Sequence, residues 1–350
     1  MKNIVYIIYN PYQNPSAAYN RILLFQKGLQ KLSIKVKVDL LTPSYRFPKF
    51  FNSLFKVLIL LFYYFKYFLN SNNIIIIYGE NYLWHLIPLY RKAIVVVERN
   101  EFPNCIIDPC SKTDCKILNL IYNCDGFITC SKALKQYYSD YLGIRNHIHI
   151  SPVIVDLSLF NQKYAREQCI TYCGDWGNNK DGVDILIRAF SIFQKRYPSY
   201  KLRLIGGSTE EVENNLHELA KHLRVESSIE YVGRIQHHSM PYYLCTSSIL
   251  ALARQNNKQA EGGFPSKIAE YLATGIPVVV TDVGELSTYL KDGTNCYMSA
   301  PNSHEAFAEK LIQAASDPNS QCVGNNGQKD VMQFNYDIQA NVLLNYIQTL

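Results

Sequence analysis

Lys267, Glu270 and Thr274 recur three or four positions apart, so on a helix they share one face, while Ile268 and Leu272 share another that can pack inward. Ahead of them runs a glycine loop, Gly262-Gly263-Phe264-Pro265-Ser266, and behind them Gly275-Ile276-Pro277 leads into the apolar run Val278–Val280. Glycines let backbone amides approach a ligand closely, and a helix start offers unpaired N–H groups and positive dipole to a diphosphate. A carboxylate one turn inside, Glu270, can accept hydrogen bonds from sugar hydroxyls. The chemistry this set suits is the holding of a nucleotide sugar. The competing reading is an exposed i, i+3 pair of Lys267 with Glu270, worth a few tenths of a kcal/mol.

Two further groups fit the same chemistry. In Gly174-Asp175-Trp176-Gly177-Asn178-Asn179-Lys180-Asp181-Gly182 the loop amides, the Lys180 ammonium and the dipole of the following helix can converge on phosphate oxygens. The plainer reading is a solvated Lys180 beside an Asp181 N-cap. Arg254 ends the apolar run Ile249–Ala253, a strand tip from which a guanidinium can grip phosphate or carboxylate in bidentate fashion; its alternative is an arginine capping a surface loop. Neither glycine loop is GxxxxGK[ST] or GxGxxG, which removes the main support for a nucleotide kinase or a dinucleotide-dependent dehydrogenase.

The elements that must position these residues alternate short apolar strands with helical stretches, the pattern of parallel α/β layers with ligands at the carboxyl ends of strands. The plan occurs twice. The first half begins with strand Asn3–Tyr9, the loop Asn10–Pro15 and a helix near Ser16–Lys31, followed by strands at Val36–Leu40, Ile74–Tyr78, Ile94–Val97 and Gly126–Cys130. The second has strands at Ile170–Cys173, Leu202–Ile205, Ile229–Val232, Ile249–Ala253 and Val278–Thr281. A helix over Asp181–Tyr197 shows its core stripe at Val183, Leu186, Phe190, Phe193 and Tyr197. The expected domains are 1–155 and 165–334, joined by the polar run Asn161–Gln168, with a tail helix at 335–350 as a candidate to cross back to the first half.

The chain has 350 residues, 48% of them hydrophobic, more than one core usually organises. A net charge of +6 is too modest to argue nucleic-acid binding and is compatible with acidic ligands or an anionic membrane surface. The ten cysteines show no paired CxxC spacing, so reduced thiols of a cytoplasmic protein are expected, Cys105, Cys110 and Cys115 included, and no metal site. The histidine pairs His147/His149 and His237/His238 lack a carboxylate spacing that suggests a metal. The apolar start Met1–Tyr9 is too short for a secretory signal and reads as a strand. The most hydrophobic segment, Phe51–Leu69, carries Lys56 and Lys66 around a nine-residue apolar run, short of the about 20 residues that span a bilayer. It reads first as a buried core helix, second as an interfacial helix that snorkels its lysines.

Gly263-Phe264-Pro265-Ser266-Lys267 followed by Glu270-Tyr271-Leu272-Ala273-Thr274-Gly275-Ile276-Pro277-Val278-Val279 resembles the donor-site signature of the retaining GT-B glycosyltransferases of family four, which includes capsule, O-antigen and exopolysaccharide enzymes. Lys180-Asp181-Gly182-Val183-Asp184 with Leu186, Ala189 and Phe190 resembles that family's lysine-glycine helix start, Pro152–Asp156 with Phe160 its interdomain segment, and Tyr231-Val232-Gly233-Arg234-Ile235 the segment beside the nucleobase. The resemblance implies an α/β GT-B fold, two Rossmann-like domains with parallel sheets facing a central cleft. It implies a metal-independent enzyme without cofactor, which moves a sugar from a UDP- or GDP-linked donor to a glycan or polyprenyl-linked acceptor with retention of configuration. By motif position Glu270 binds the donor ribose, Lys180 the diphosphate, and Gly263, Phe264, Pro265 and Ser266 hold the donor through backbone amides, with Gly174 and Arg234 alongside.

Three departures bear on those roles. The family often has two glutamates separated by seven residues, whereas Glu261 precedes Glu270 by nine positions and Gly262 stands at the expected place. The phosphate-binding arginine after the second-half glycine is absent, Asp175 and Trp176 standing there, so Arg254 or Lys267 is expected to compensate. The histidine often found in the first domain is absent too. Glu98-Arg99-Asn100-Glu101-Phe102-Pro103 occupies a comparable strand tip, with Glu101 the candidate for acceptor orientation or sugar contact and Glu98, Ser16 and Ala17 as acceptor or phosphate-loop residues. Pairing of Glu98 or Glu101 with Arg99 is the structural alternative, and a Ser16 N-cap is that for the first loop. The expectation is a cytoplasmic hexosyltransferase of surface-polysaccharide assembly, peripherally associated with the inner face of the membrane. A GT-B epimerase or phosphorylase and a non-catalytic nucleotide-sugar-binding subunit are its rivals.

Overall fold

The computed structural model describes residues 2–9, 16–41, 49–103, 118–143, 147–177 and 181–350. They divide into two compact units, one of Met1–Val155 with Phe334–Leu350, the other of Asp156–Gln333.

The first unit is built on six parallel strands, β1 (Asn3–Tyr9), β2 (Val36–Leu41), β3 (Asn73–Tyr78), β4 (Ile94–Glu98), β5 (Gly126–Thr129) and β6 (Ile148–Ile150), in the order β2-β1-β3-β4-β5-β6. A parallel sheet covered on both faces needs near-continuous apolar strands. Ile74–Ile77 and Val95–Val97 supply them, all buried. The strand order reverses between β1 and β3, and the loop that leaves β1 there, Asn10–Pro15, lies outside the described residues.

The helix Ala17–Lys31 packs on this sheet through Ile22, Phe25 and Leu29 and receives the helix Tyr336–Gln348, whose Tyr336, Ala340, Leu343 and Ile347 join the same core. Backbone bonds Val155 N–H to Phe334 O (3.0 Å) and Tyr336 N–H to Val155 O (3.0 Å) bring the chain back from the second unit into the first. Gly28 is the contact point. A Cβ there would stand 2.5 Å from Ala340 Cβ and 2.8 Å from the Tyr336 carbonyl, so the two helices touch backbone to backbone. At the other end Tyr346 places its hydroxyl 2.9 Å from the Phe127 amide at the start of β5.

At the β4 tip Arg21 and Glu98 form a buried ion pair, Nε to Oε1 at 2.7 Å. Arg21 also donates to the Ser151 and Pro152 carbonyls and the Ser151 hydroxyl, which satisfies the guanidinium in the interior. Glu98 is 0% exposed. Its partner is therefore Arg21, whereas Arg99 pairs with Glu80 at 3.0 Å and lies 5.3 Å over the Trp84 ring. Pairing of Arg99 with Glu98 is corrected, because successive side chains at this strand end turn to opposite faces.

The segment expected to be a core helix is mostly exposed. Helix Lys49–Tyr63 continues into a π turn, Tyr64–Phe68, and only Tyr63, Tyr67 and Phe68 of its large side chains from Leu54 onward are buried. The widened π turn lets Tyr67 and Phe68 both reach the interior. No helix among the described residues is long and apolar enough to cross a membrane.

The second unit repeats the plan with β7 (Cys169–Asp175), β8 (Lys201–Gly207), β9 (Ile229–Gly233), β10 (Ile249–Leu252), β11 (Val278–Thr281) and β12 (Tyr297–Ser299), all parallel in the order β12-β11-β10-β7-β8-β9. The sixth strand of each sheet, β6 and β12, is a three-residue edge strand that no apolar run announces. The order reverses between β7 and β10, so the crevice beyond their carboxyl ends is where this topology places ligands. The helix after β7 spans Val183–Arg196 and buries Val183, Leu186, Phe190 and Phe193. The polar run 161–168, expected as a free linker, is tied to this unit: Glu167 pairs with Arg203 at 2.5 Å and Tyr164 packs edge-on against Tyr242.

The close contact at Gly28 gives a test. Gly28→Val is expected to destabilise the first unit by about 1–3 kcal/mol through overpacking, and limited proteolysis should then release the 336–348 segment before the second unit is cut. An unchanged melting temperature would show that this helix is not held by the Gly28 contact.

Candidate functional site

The carboxyl ends of β7, β8, β10 and β11 bring their loops into backbone contact, and glycines make that approach feasible. Gly206 has φ +131°, and a Cβ on it would lie 1.7 Å from the Gly174 carbonyl. Gly182 has φ +63°, and a Cβ there would lie 2.1 Å from the Ala253 carbonyl. No side chain is tolerated at either position: Gly206 lets the end of β8 close on β7, and Gly182 lets the start of the next helix close on the residue after β10.

Asp181, ahead of the helix that follows β7, is 1% exposed in its side chain. Lys267 Nζ donates to Asp181 Oδ2 at 2.6 Å, and the Tyr172 hydroxyl lies 2.8 Å from the same oxygen. Burial alone would raise the Asp181 carboxyl; Lys267, Arg254 and the Tyr172 bond together hold it below its usual value. The Lys267 side chain crosses over Gly174, whose missing Cβ would sit 2.0 Å from Lys267 Cε. This corrects two expectations. Lys267 pairs with Asp181 and not, as an exposed i, i+3 pair, with Glu270. Asp181 is not the N-cap either: Gly182, in the left-handed region, takes that position, and the helix begins at Val183.

Helix Ser266–Ala273 begins after Pro265 with no side chain capping its first turn, so its leading amides stay open beside the glycine loop. A Cβ on Gly263 would lie 3.1 Å from Arg254 Nη2, so the loop passes directly over the guanidinium, itself 3% exposed at the β10 tip. Phe264 is fixed edge-on against Tyr289, centroids 5.3 Å apart. Glu270, one turn in, is partly exposed and lies close to the β7 tip; burial first and then this carboxylate push the Cys173 thiol up to about 12. Thr274 does not extend the polar face. Its hydroxyl donates to the Tyr271 carbonyl and accepts from the Ile276 amide, closing the helix end.

His237 is the residue that sequence spacing did not connect to this site. Its Nε2 stands 3.7 Å from Glu270 Oε1, and that carboxylate raises the imidazole above its ordinary value against the opposing effect of burial. Thirty-three residues separate the two in the chain, and only the parallel sheet brings their loops together. Trp176, which stands where an arginine was expected, fills a structural place. It is buried edge-on against Tyr231, centroids 5.9 Å apart, and its amide donates to the Gly207 carbonyl. Arg234 is exposed beside Gly207, with Nε 3.5 Å from where a Cβ would be.

The structure thus brings Gly174, Arg234, Arg254, Gly263, Phe264, Pro265, Ser266, Lys267 and Glu270 to one end of the second sheet. Lys180 lies outside the described residues, as do Cys105, Cys110 and Cys115. Glu98, Glu101, Ser16 and Ala17 belong to the first unit. Glu98 is enclosed by its pair with Arg21, Glu101 is exposed with its carbonyl accepting from the Tyr138 hydroxyl, and Ser16 caps its helix by accepting from the Tyr19 amide, with Ala17 exposed beside it. Arg21 and Asn100 both donate to Glu98 Oε1, which fixes the carboxylate in the interior. No group of three His, Cys, Asp or Glu side chains suited to a metal ion occurs among the described residues.

With two parallel six-stranded sheets, each carrying its helices, the fold is GT-B. Sucrose-phosphate synthase from Thermosynechococcus elongatus superimposes with a TM-score of 0.78 at 17% identity, covering 99% of both chains. Anabaena HepE in complex with UDP and glucose gives 0.78 at 15% identity, covering 100% of both. Residues 160–330, nearly the whole second unit, match the family model of glycosyl transferases group 1. An uncharacterized glycosyltransferase of Haemophilus influenzae is 27% identical over 199 residues, 57% of this chain and 54% of that protein. D-inositol 3-phosphate glycosyltransferase of Corynebacterium aurimucosum is 27% identical over 169 residues, 47% of this chain and 39% of that one. The chain's matches span about half the length of these curated relatives, or less.

Lys267→Met leaves a buried carboxylate without its cation, and a loss of about 3 kcal/mol in chemical denaturation is expected, with Asp181→Asn plus Lys267→Met recovering part of it. Because the Asp181 value is depressed in the folded state, its contribution is present above the unfolded value of about 3.9 and is lost as pH falls through the folded one. Wild-type stability should therefore drop more steeply than that of the double variant as the solution is acidified below about pH 4. Parallel pH curves would remove this role from Asp181.

Proposed function

We propose that this protein is a retaining, metal-independent glycosyltransferase that moves a hexose from a UDP- or GDP-linked donor to a glycan or polyprenyl-linked acceptor in surface-polysaccharide biosynthesis. It works in the cytoplasm at the inner face of the cell membrane. The observation that carries the reading is the set of loop amides, Arg254 and Glu270 gathered at the switch point of the second sheet, in the stretch that matches group 1 glycosyltransferases. The UDP named with Anabaena HepE and with the pneumococcal O-GlcNAc transferase GtfA is in keeping with a nucleotide ligand.

In this reading Glu270 accepts hydrogen bonds from the donor ribose, the open amides at Ser266 and the Gly263 loop face the diphosphate, and Arg234 flanks the base. Lys180 and Arg254 are the phosphate cations. The bond between the anomeric carbon and the diphosphate oxygen breaks with its electron pair passing to the nucleoside diphosphate, while an acceptor hydroxyl forms the new bond on the same face and gives up its proton. Charge grows on the phosphate oxygens as that bond breaks, so cations and amides fixed beforehand supply the largest catalytic contribution. Glu101 is assigned to the acceptor end.

One observation favours a second reading, a nucleotide-sugar-binding subunit without turnover. Glu261 is drawn into an exposed pair with Lys258 at 2.7 Å, and Gly262 stands where a sugar-binding carboxylate is expected. Release of nucleoside diphosphate from a labelled donor separates the two.

Calorimetry with UDP- and GDP-sugars should give binding to the purified chain, and Glu270→Ala should weaken it about tenfold or more, roughly 1.4 kcal/mol, with the melting temperature unchanged. No binding by any nucleotide sugar, together with an inert Glu270→Ala, would end the transferase reading. A ribose on Glu270 also takes that carboxylate from His237, so saturating UDP should lower the His237 titration midpoint seen by NMR, and protons should be released on binding near pH 7.

A further inference from the structure

The helix Lys49–Tyr63 and the π turn after it turn an apolar face to solvent. Leu54, Val57, Leu58, Leu61, Phe62 and Phe65 are all exposed, Phe65 by 67% and Phe62 by 55%. At 100° per residue they fall within an arc of about 140°, a single continuous stripe. Isolated exposed apolar residues need no explanation, but a stripe of this size on a soluble face does.

The charges around it select one kind of partner. Residues 49–69 include Lys49, Lys56 and Lys66 and contain no aspartate or glutamate. Lys66 lays its ammonium 4.6 Å from the centre of the Phe62 ring and 4.9 Å from that of Tyr67, at the edge of the stripe with its stem along the apolar surface. The adjoining segment continues the pattern. The Tyr64 hydroxyl donates to the Tyr90 carbonyl at 2.6 Å and the Lys92 amide to the Phe68 carbonyl at 2.9 Å, which sets exposed Leu89, Tyr90 and Lys92 beside the π turn. Asp39 and Asp125 on neighbouring segments are already paired, with Lys37 at 3.0 Å and Arg91 at 2.7 Å.

We propose that this face is a docking surface for an anionic lipid bilayer, on which the helix lies parallel to the membrane plane. The apolar stripe enters the boundary between headgroups and acyl chains, and Lys66 and Lys92 at its flank meet lipid phosphates. A second copy of this chain suits the face poorly, because a two-fold contact would set lysine against lysine with no carboxylate on the stripe to answer them. Spanning does not fit, because no helix among the described residues is long and apolar enough to cross a membrane. The surface is independent of the reaction assigned to the second unit.

Vesicle flotation of the full chain tests it. The wild type should float with phosphatidylcholine vesicles containing phosphatidylglycerol and bind pure phosphatidylcholine at least tenfold more weakly. Leu58→Glu with Phe62→Glu and Phe65→Glu should abolish flotation at an unchanged melting temperature, since all three side chains are exposed. Lys66→Glu with Lys92→Glu should lower binding to the anionic vesicles about tenfold or more and leave the weak neutral binding in place. Wild type remaining in the soluble fraction with anionic vesicles would overturn the proposal. So would a wild-type dimer in light scattering that the triple variant converts to monomer, which would assign the face to a second copy.

Discussion

A buried carboxylate must be answered by a cation, and at Asp181 that requirement orders the site in the second unit. The carboxylate stands ahead of the helix that follows β7, its cation comes from the helix that carries Glu270, and its hydrogen-bonding hydroxyl comes from β7 itself. Tyr172 and Asp181 are nine positions apart in sequence, and Lys267 lies 86 positions beyond Asp181. Their junction fixes the distance between the loop after β7 and the start of helix Ser266–Ala273, the two places from which backbone amides can reach a ligand. Lys267 thus ties the helix that carries Glu270 to Asp181, and the Arg254 guanidinium lies under Gly263 at the same end of the sheet.

The first unit solves its own buried-charge problem differently. Arg21 is a helix residue that reaches across to the β4 tip and spends its donors on Glu98, two carbonyls and a hydroxyl. Such an arrangement gives polar groups at a sheet's carboxyl edge a fixed geometry with the carboxylate closed to solvent. The neighbouring pair of Arg99 with Glu80 lies on the other face and is partly open. Alternation along one strand is enough to give two adjacent residues, Glu98 and Arg99, opposite fates.

Strands built from unbroken isoleucine and valine runs were legible as parallel and buried because no other element tolerates that composition without charge. The core stripe of helix Val183–Arg196 was legible from its period. What sequence could not resolve was partner choice. Lys267 has Glu270 three residues away on the same helix and Asp181 eighty-six residues away; the nearer acid loses because Asp181 is buried and pulls harder on a cation. His237 and Glu270 meet only because parallel strands deliver their loops to one edge. Composition alone reads the segment 51–69 first as core and second as interfacial. Hydrophobicity reports that a surface avoids water, and it does not say whether protein or something else covers it.

The chain's return at residues 334–350 has a consequence for how the protein is made. Those residues complete the core of the first unit, yet they follow the second unit in the chain. On a ribosome the stretch 156–333 emerges whole and can fold while the unit begun earlier still lacks a helix. The order of synthesis and the order of completion are therefore inverted. The first sheet must wait with the surface around Gly28 bare, and that interval is when it is most exposed to chaperones and to misassembly.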